Sequence, residues 1–177
     1  MHHYKEMDYR SMPLRVLCTS TENAIKELIS FTKEPVFLDG ITALEYAEYL
    51  YGAVFVACQA YAVGVVSDIN DIRASAGKEK VSKLSLYKQS PAVNSGTSSI
   101  EFINALANYF KHNEEWSAWP ENETTKALKY FGLTESTEFP LKSGAEILTG
   151  HDSELRLVCE ILEDWRFGLI EKCHQNA

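Results

Sequence analysis

The residues of this chain best placed to do chemistry lie between Ile100 and Trp119, in the string IEFINALANYFKHNEEWSAW. At helical spacing Glu101, Asn104, Asn108, His112 and Glu115 fall within an arc of about 80°. Ile103, Leu106, Ala107 and Phe110 occupy the opposite side. Asn108 and His112, four apart, would be surface neighbours, and Glu115 or Glu101 could orient the imidazole. That set suits phosphate or partner binding, and it equally suits a solvated face. Two tryptophans follow, Trp116 and Trp119 around Pro120, to serve as partner anchors or to cap the end of a bundle.

Other candidates are fewer. Asp68 and Asp71 are three apart on a helix, a spacing open to acid/base work or cation binding. They fit equally well a helix turning its charged side to water, with Arg73 pairing locally. Lys78, Lys80, Lys83 and Lys88 make a basic stretch without interleaved aromatics, so stacking on nucleic acid is not indicated. The chain has no G-x-G-x-x-G, G-x-x-x-x-G-K-[ST], G-x-S-x-G or H-E-x-x-H motif, and His2, His3, His112, His151 and His174 are dispersed. Neither a metal site nor a cofactor is expected. Cys18, Cys58, Cys159 and Cys173 form no C-x-x-C pair and read as reduced thiols, Cys58 as a small core residue.

The elements that must hold these groups are helices. Hydroxyl residues followed three positions later by Glu mark helix starts at Thr19/Glu22, Thr42/Glu45, Ser98/Glu101 and Ser143/Glu146. Apolar spacing predicts helices over Ser20–Thr32, Thr42–Ser75, Ser99–Trp116, Glu123–Phe131 ending at Gly132, and Ser153–Lys172 led by Asp152. A short turn is predicted over Ser143–Thr149, and Lys88–Ser99 reads as a loop. In the longest helix Gly52 and Gly64 would either kink the rod or admit close packing. Leu14–Cys18 and Pro35–Leu38 are the only strand candidates. The fold class predicted is therefore all-α, a bundle of about four main helices with shorter ones, in one domain spanning 1–177.

The segment Ala107–Trp116, read as A-N-Y-x-K-H-x-x-E-W, resembles a helix end of small helical bacterial proteins. These are similar in outline to the HEPN superfamily, whose active members cleave RNA with an Arg followed by His on one helix. His112 matches that histidine, but the preceding positions are Ala105, Leu106 and Ala107 and supply no arginine. In size and composition the chain also resembles the immunity proteins of contact-dependent growth inhibition and antitoxins. That resemblance implies an inhibitor that occludes a toxin's active site with carboxylates in place of phosphates.

Composition agrees with a binding role. The 177 residues carry 25 acidic and 17 basic side chains, a net charge of −8. This balance disfavours a large nucleic-acid surface and favours a basic partner. The Ala53–Val66 run, interrupted by Gln59 and Gly64, reads as a buried helix, and residues before Pro13 lack the apolar stretch of a secretory signal. A cytoplasmic, non-enzymatic protein is expected. Its partner would be a cognate toxin domain, a basic nuclease, met by Glu101, Asn108, His112, Glu114, Glu115, Trp116 and Trp119, without direct nucleic-acid or membrane contact. A HEPN-like ribonuclease or RNA-binding protein using His112 is the alternative, and self-association into a homodimer stays open.

Overall fold

The computed structural model describes residues 6–33, 38–93, 96–150 and 154–175, and among them the regular structure is entirely helical. In chain order the helices are α1 (Ser11–Phe31), α2 (Gly40–Ser75), α3 (Lys83–Tyr87), α4 (Ser99–His112), α5 (Glu123–Tyr130), α6 (Pro140–Thr149) and α7 (Leu155–Gln175). A single turn of tighter helix, Asn113–Glu115, extends α4. The one extended pairing among the described residues is an isolated antiparallel bridge, Ala92 to Ser98. The predicted helical bundle is the observed architecture.

The strand candidate Leu14–Cys18 is instead the first turns of α1. Its alternation of Leu14, Val16 and Cys18 also fits a helix, because residues four apart share a face. Leu14 and Cys18 point inward, while Val16 is 58% exposed. Pro13 is tolerated because the first turn needs no donor from it. Thr19 and Glu22 consequently sit inside α1 and form no cap; Glu22 accepts from Lys26 at 2.6 Å. Of Pro35–Leu38, residues 35–37 lie outside the described residues, as do Asp152 and Ser153.

Asp39, and not Thr42, starts α2: its carboxylate accepts from the amides of Ile41 at 2.9 Å and Thr42 at 3.0 Å and from the Thr42 hydroxyl at 2.7 Å. A carboxylate outcompetes a hydroxyl for these orphan amides, so the helix begins earlier than expected. The box at Ser98 and Glu101 forms as predicted, with reciprocal bonds of 3.2 and 3.1 Å. An unexpected second box, Asn122 with Thr125, starts α5. Gly132 follows α5 at φ 76°, in the left-handed position predicted for it. Ser143 and Glu146 lie within α6, which opens at Pro140.

Running 36 residues, α2 is the axis of the bundle, with α1, α4, α6 and α7 packed around it. It is long and apolar enough to cross a membrane, and 44% of its most apolar window is buried by the other helices. Its two glycines are contact points. Phe110 of α4 lies over Gly52, and the Arg10 side chain crosses Gly64. On α4's far side Phe102 stacks on Phe131, with centroids 3.8 Å apart, and Gly144 of α6 admits Leu106. The Trp165 indole of α7 donates to the Leu86 carbonyl of α3 at 3.0 Å.

Candidate functional site

The polar stripe of α4 is built against α2 by one side chain. Lys111 donates to Gln59 Oε1 at 2.8 Å, and Gln59 Nε2 donates to Asn104 Oδ1 and Asn108 Oδ1, both at 2.9 Å. An ammonium can only donate, so it fixes the Gln59 carbonyl toward itself and turns the amide nitrogen to α4. Both asparagines then accept through oxygen and keep their NH2 groups available.

A cleft of about 380 Å³ opens beside this stripe, walled by α4 through Glu101, Asn104 and Asn108 and by α5 through Glu123, Lys126 and Tyr130. Leu84, Tyr87 and Lys88 close it from α3. Its charges balance, and Lys126 is paired with Glu123 at 3.0 Å. The Tyr87 hydroxyl is sealed from solvent without a hydrogen-bond partner. Burial pushes its pKa up to about 12, so it stays protonated. The cleft is a neutral, donor-bearing recess suited to hydrogen bonding.

The nominated residues are divided by the fold. Glu101 and Asn108 line this cleft, while His112, Glu114, Glu115, Trp116 and Trp119 gather at the far end of α4. There Trp116 and Trp119 pack on Tyr109 and on each other with centroid separations of 5.7, 5.9 and 5.8 Å. Both indoles are half-buried, and Trp119 Nε1 is sealed without an acceptor. Glu114 accepts from the Tyr49 hydroxyl at 3.0 Å. Glu115, 73% exposed, lies 3.5 Å from the half-exposed His112 imidazole. The result is an aromatic cluster edged by carboxylates.

For the ribonuclease resemblance, Ala105, Leu106 and Ala107 are all buried in the core, so the turns before His112 offer no cation on that side. Lys111, beside it, is engaged by Gln59. Among the described residues no group of three or more His, Cys, Asp or Glu side chains is placed to hold a metal ion.

Several polar groups reached assignments that the sequence reading missed. Asp68 is buried and meets the Arg10 guanidinium at 2.6 Å, and Arg73 donates to the Glu79 carbonyl at 2.8 Å. Nearby, Tyr61 donates to Asp8, and the buried Arg166 lies 3.7 Å from the same carboxylate. Ser11 and Arg15 both bond Glu163 of α7. These contacts bolt the segment before α1 to α2 and α7. Cys18, Cys58 and Cys159, far apart in sequence, are all fully buried, with the Cys18 and Cys159 sulfurs 2.9 Å apart. The contact with Cys18 and burial both push the Cys159 thiol's pKa upward, which keeps it an inert thiol.

Glu48 of α2 accepts from the first free amides of α6, Leu141 at 2.6 Å and Lys142 at 2.9 Å. It supplies the cap that Pro140 and Phe139 cannot. Glu48→Ala is expected to cost about 1–3 kcal/mol in urea unfolding, because two part-buried amide donors lose their acceptor. Burial raises the Glu48 pKa, the two amide bonds opposing it. A raised carboxyl means that the native state binds its proton at a higher pH than the unfolded chain. The contribution of Glu48 to stability therefore grows as pH falls from above its native pKa toward the ordinary carboxylate value. Glu48→Gln should remove that slope in a pH series of urea melts; an unchanged slope would exclude Glu48 as its source.

No protein-family model, curated protein or solved structure matches the chain significantly.

Proposed function

We propose that the chain is a cytoplasmic binding protein that neutralises a basic partner, most specifically the nuclease domain of a cognate bacterial toxin, as an immunity protein or antitoxin does. The observation that carries this reading is the Tyr109, Trp116 and Trp119 cluster edged by exposed Glu114 and Glu115 at one end of the bundle. Large amphipathic rings surrounded by charge have the anatomy of a binding hot spot with a polar rim. With a net charge of −8, the field of the whole molecule favours encounter with a cationic surface. Carboxylates held there would stand where a nuclease expects phosphates.

The test is titration of the pure chain into the basic nuclease toxin domain encoded beside its gene, with RNA and DNA cleavage as readouts. Stoichiometric loss of cleavage is expected, weakening with salt. Trp116→Ala should lower affinity by about 30-fold, the roughly 2 kcal/mol of a hot-spot aromatic. Undiminished cleavage at saturating concentration would remove this reading. RNA cleavage by the chain itself, lost in His112→Ala, would instead establish the ribonuclease.

A further inference from the structure

We propose that the cleft between α4 and α5 is a binding site for a guanine nucleotide, recognised by the polar edge of its base. The volume of about 380 Å³ falls within the range of small-molecule sites. What can bind there follows from how the polar groups are fixed. Both α2 and α5 pack on α4, and Gln59 approaches Asn104 and Asn108 from the α2 side. Its amide nitrogen holds the oxygens of both asparagines at 2.9 Å. The oxygen and nitrogen of a carboxamide diverge from one carbon, so oxygens turned to α2 leave the NH2 groups for the α5 side, where the cleft lies. Toward the cleft Asn104 and Asn108 therefore act as donors.

Glu101, one turn earlier on the same wall, is an acceptor. One of its oxygens takes the Ser98 amide at 3.1 Å, and the carboxylate has lone pairs beyond that bond. Along α4 the order is thus acceptor, donor, donor, with Glu101 and Asn108 separated by an axial rise of about 10 Å. Guanine carries the complementary order on one continuous edge: the N1 and N2 hydrogens donate, and O6 and N7 accept. In this pairing Glu101 meets N1–H and N2–H, Asn104 meets O6 and Asn108 meets N7.

The other bases fit less well. Adenine sets its 6-amino donor against the asparagine NH2 groups, because the oxygens that would otherwise accept from it are held by Gln59. Uracil alternates acceptor, donor and acceptor, and cytosine, whose order is compatible, has a shorter edge to lay between Glu101 and Asn108. Across the cleft, Tyr130 of α5 offers an aromatic face on which a base can stack. Its ring is 64% exposed and lies so close to Gly96 that a Cβ there would stand 3.1 Å from it. Lys126 is paired with Glu123 at 3.0 Å, and the exposed Lys88 beside α3 supplies a cation for the phosphate. A free nucleotide suits this chain better than an RNA strand, since 25 acidic against 17 basic residues give a strand few phosphate contacts beyond the cleft. The site stands apart from the Trp116 and Trp119 cluster and does not rest on the toxin reading.

Calorimetric titration of the full chain with guanosine monophosphate to about 2 mM, which reads dissociation constants from micromolar to millimolar, should show saturable binding of one nucleotide per chain. The adenosine, cytidine and uridine monophosphates should each bind about tenfold more weakly or worse. Asn108→Asp keeps the oxygen that Gln59 holds and puts a second acceptor where the NH2 group was. With circular dichroism unchanged, this variant should bind guanosine monophosphate at least about tenfold more weakly. Gln59 is a positioning residue, and Gln59→Ala frees both amides to flip. The preference for the guanine over the adenine nucleotide should then narrow to within about threefold, whereas simple loss of structure would weaken both alike. The oligonucleotide UUGUU should bind no more tightly than guanosine monophosphate. No binding of guanosine monophosphate, equal binding of the adenine or cytosine nucleotide, undiminished binding by Asn108→Asp, or an unchanged preference in Gln59→Ala would each overturn the proposal. So would UUGUU bound more than about tenfold more tightly than the free nucleotide, which would assign the cleft to RNA.

Discussion

Gly52→Ala is expected to destabilise the protein by about 2 kcal/mol, and its melting temperature should fall by about 4–8 °C. An added methyl at residue 52 would stand 2.0 Å from Phe110 Cδ2 and 2.4 Å from Cε2. The ring cannot retreat easily, since Tyr49 packs edge-on against it at 5.3 Å. Overpacking of this kind costs up to about 3 kcal/mol, and the better helix propensity of alanine returns about 1 kcal/mol. The double variant Gly52→Ala/Phe110→Leu makes the assignment specific. If the α2–α4 seam is the cause, the smaller side chain should suppress most of the added loss, seen as coupling in a double-mutant cycle. Additive effects would place the cost elsewhere.

The second large effect is expected at Arg10. Asp68 is 4% exposed, and its carboxylate has a guanidinium at 2.6 Å. Arg10→Met removes that countercharge while keeping much of the stem that crosses Gly64. Depriving a buried charge of its partner typically costs 3–5 kcal/mol. The Arg10 side chain is 44% exposed, and solvent screening brings the expectation down to about 2–3 kcal/mol. Arg10→Met/Asp68→Leu should recover most of the loss, because an apolar pair of similar volume avoids desolvating either charge. Urea unfolding measures both variants. Equal losses in the single and double variants would show that the segment before α1 depends on Arg10 for packing and not for charge.

Much of the helical plan was legible in the sequence because its determinants are local. The Ser98/Glu101 box, Gly132 after α5 and the three- and four-residue apolar steps of α2, α4 and α7 all act within a turn or two of themselves. Where the reading slipped, a local signal had a nearby competitor. Asp39 pre-empted Thr42 as cap, and the alternation in Leu14–Cys18 was compatible with both a strand and one face of α1. The candidate site was visible as a stripe on α4, but its division into a cleft end with Glu101 and Asn108 and an aromatic end with Trp116 and Trp119 was not.

Local patterning therefore specifies the set of helices, most of their ends and the side of each that turns inward. Tertiary structure alone decided which polar groups meet. Gln59 reaches Asn104 across 45 residues, Arg10 reaches Asp68 across 58, Glu48 caps α6 across 93, and Cys18 touches Cys159 across 141. Periodicity fixes which way a side chain faces from its own helix, whereas such meetings depend on how one helix is rotated and shifted against another. That choice is made by the packing of the whole core, here by Phe110 over Gly52 and Leu106 against Gly144.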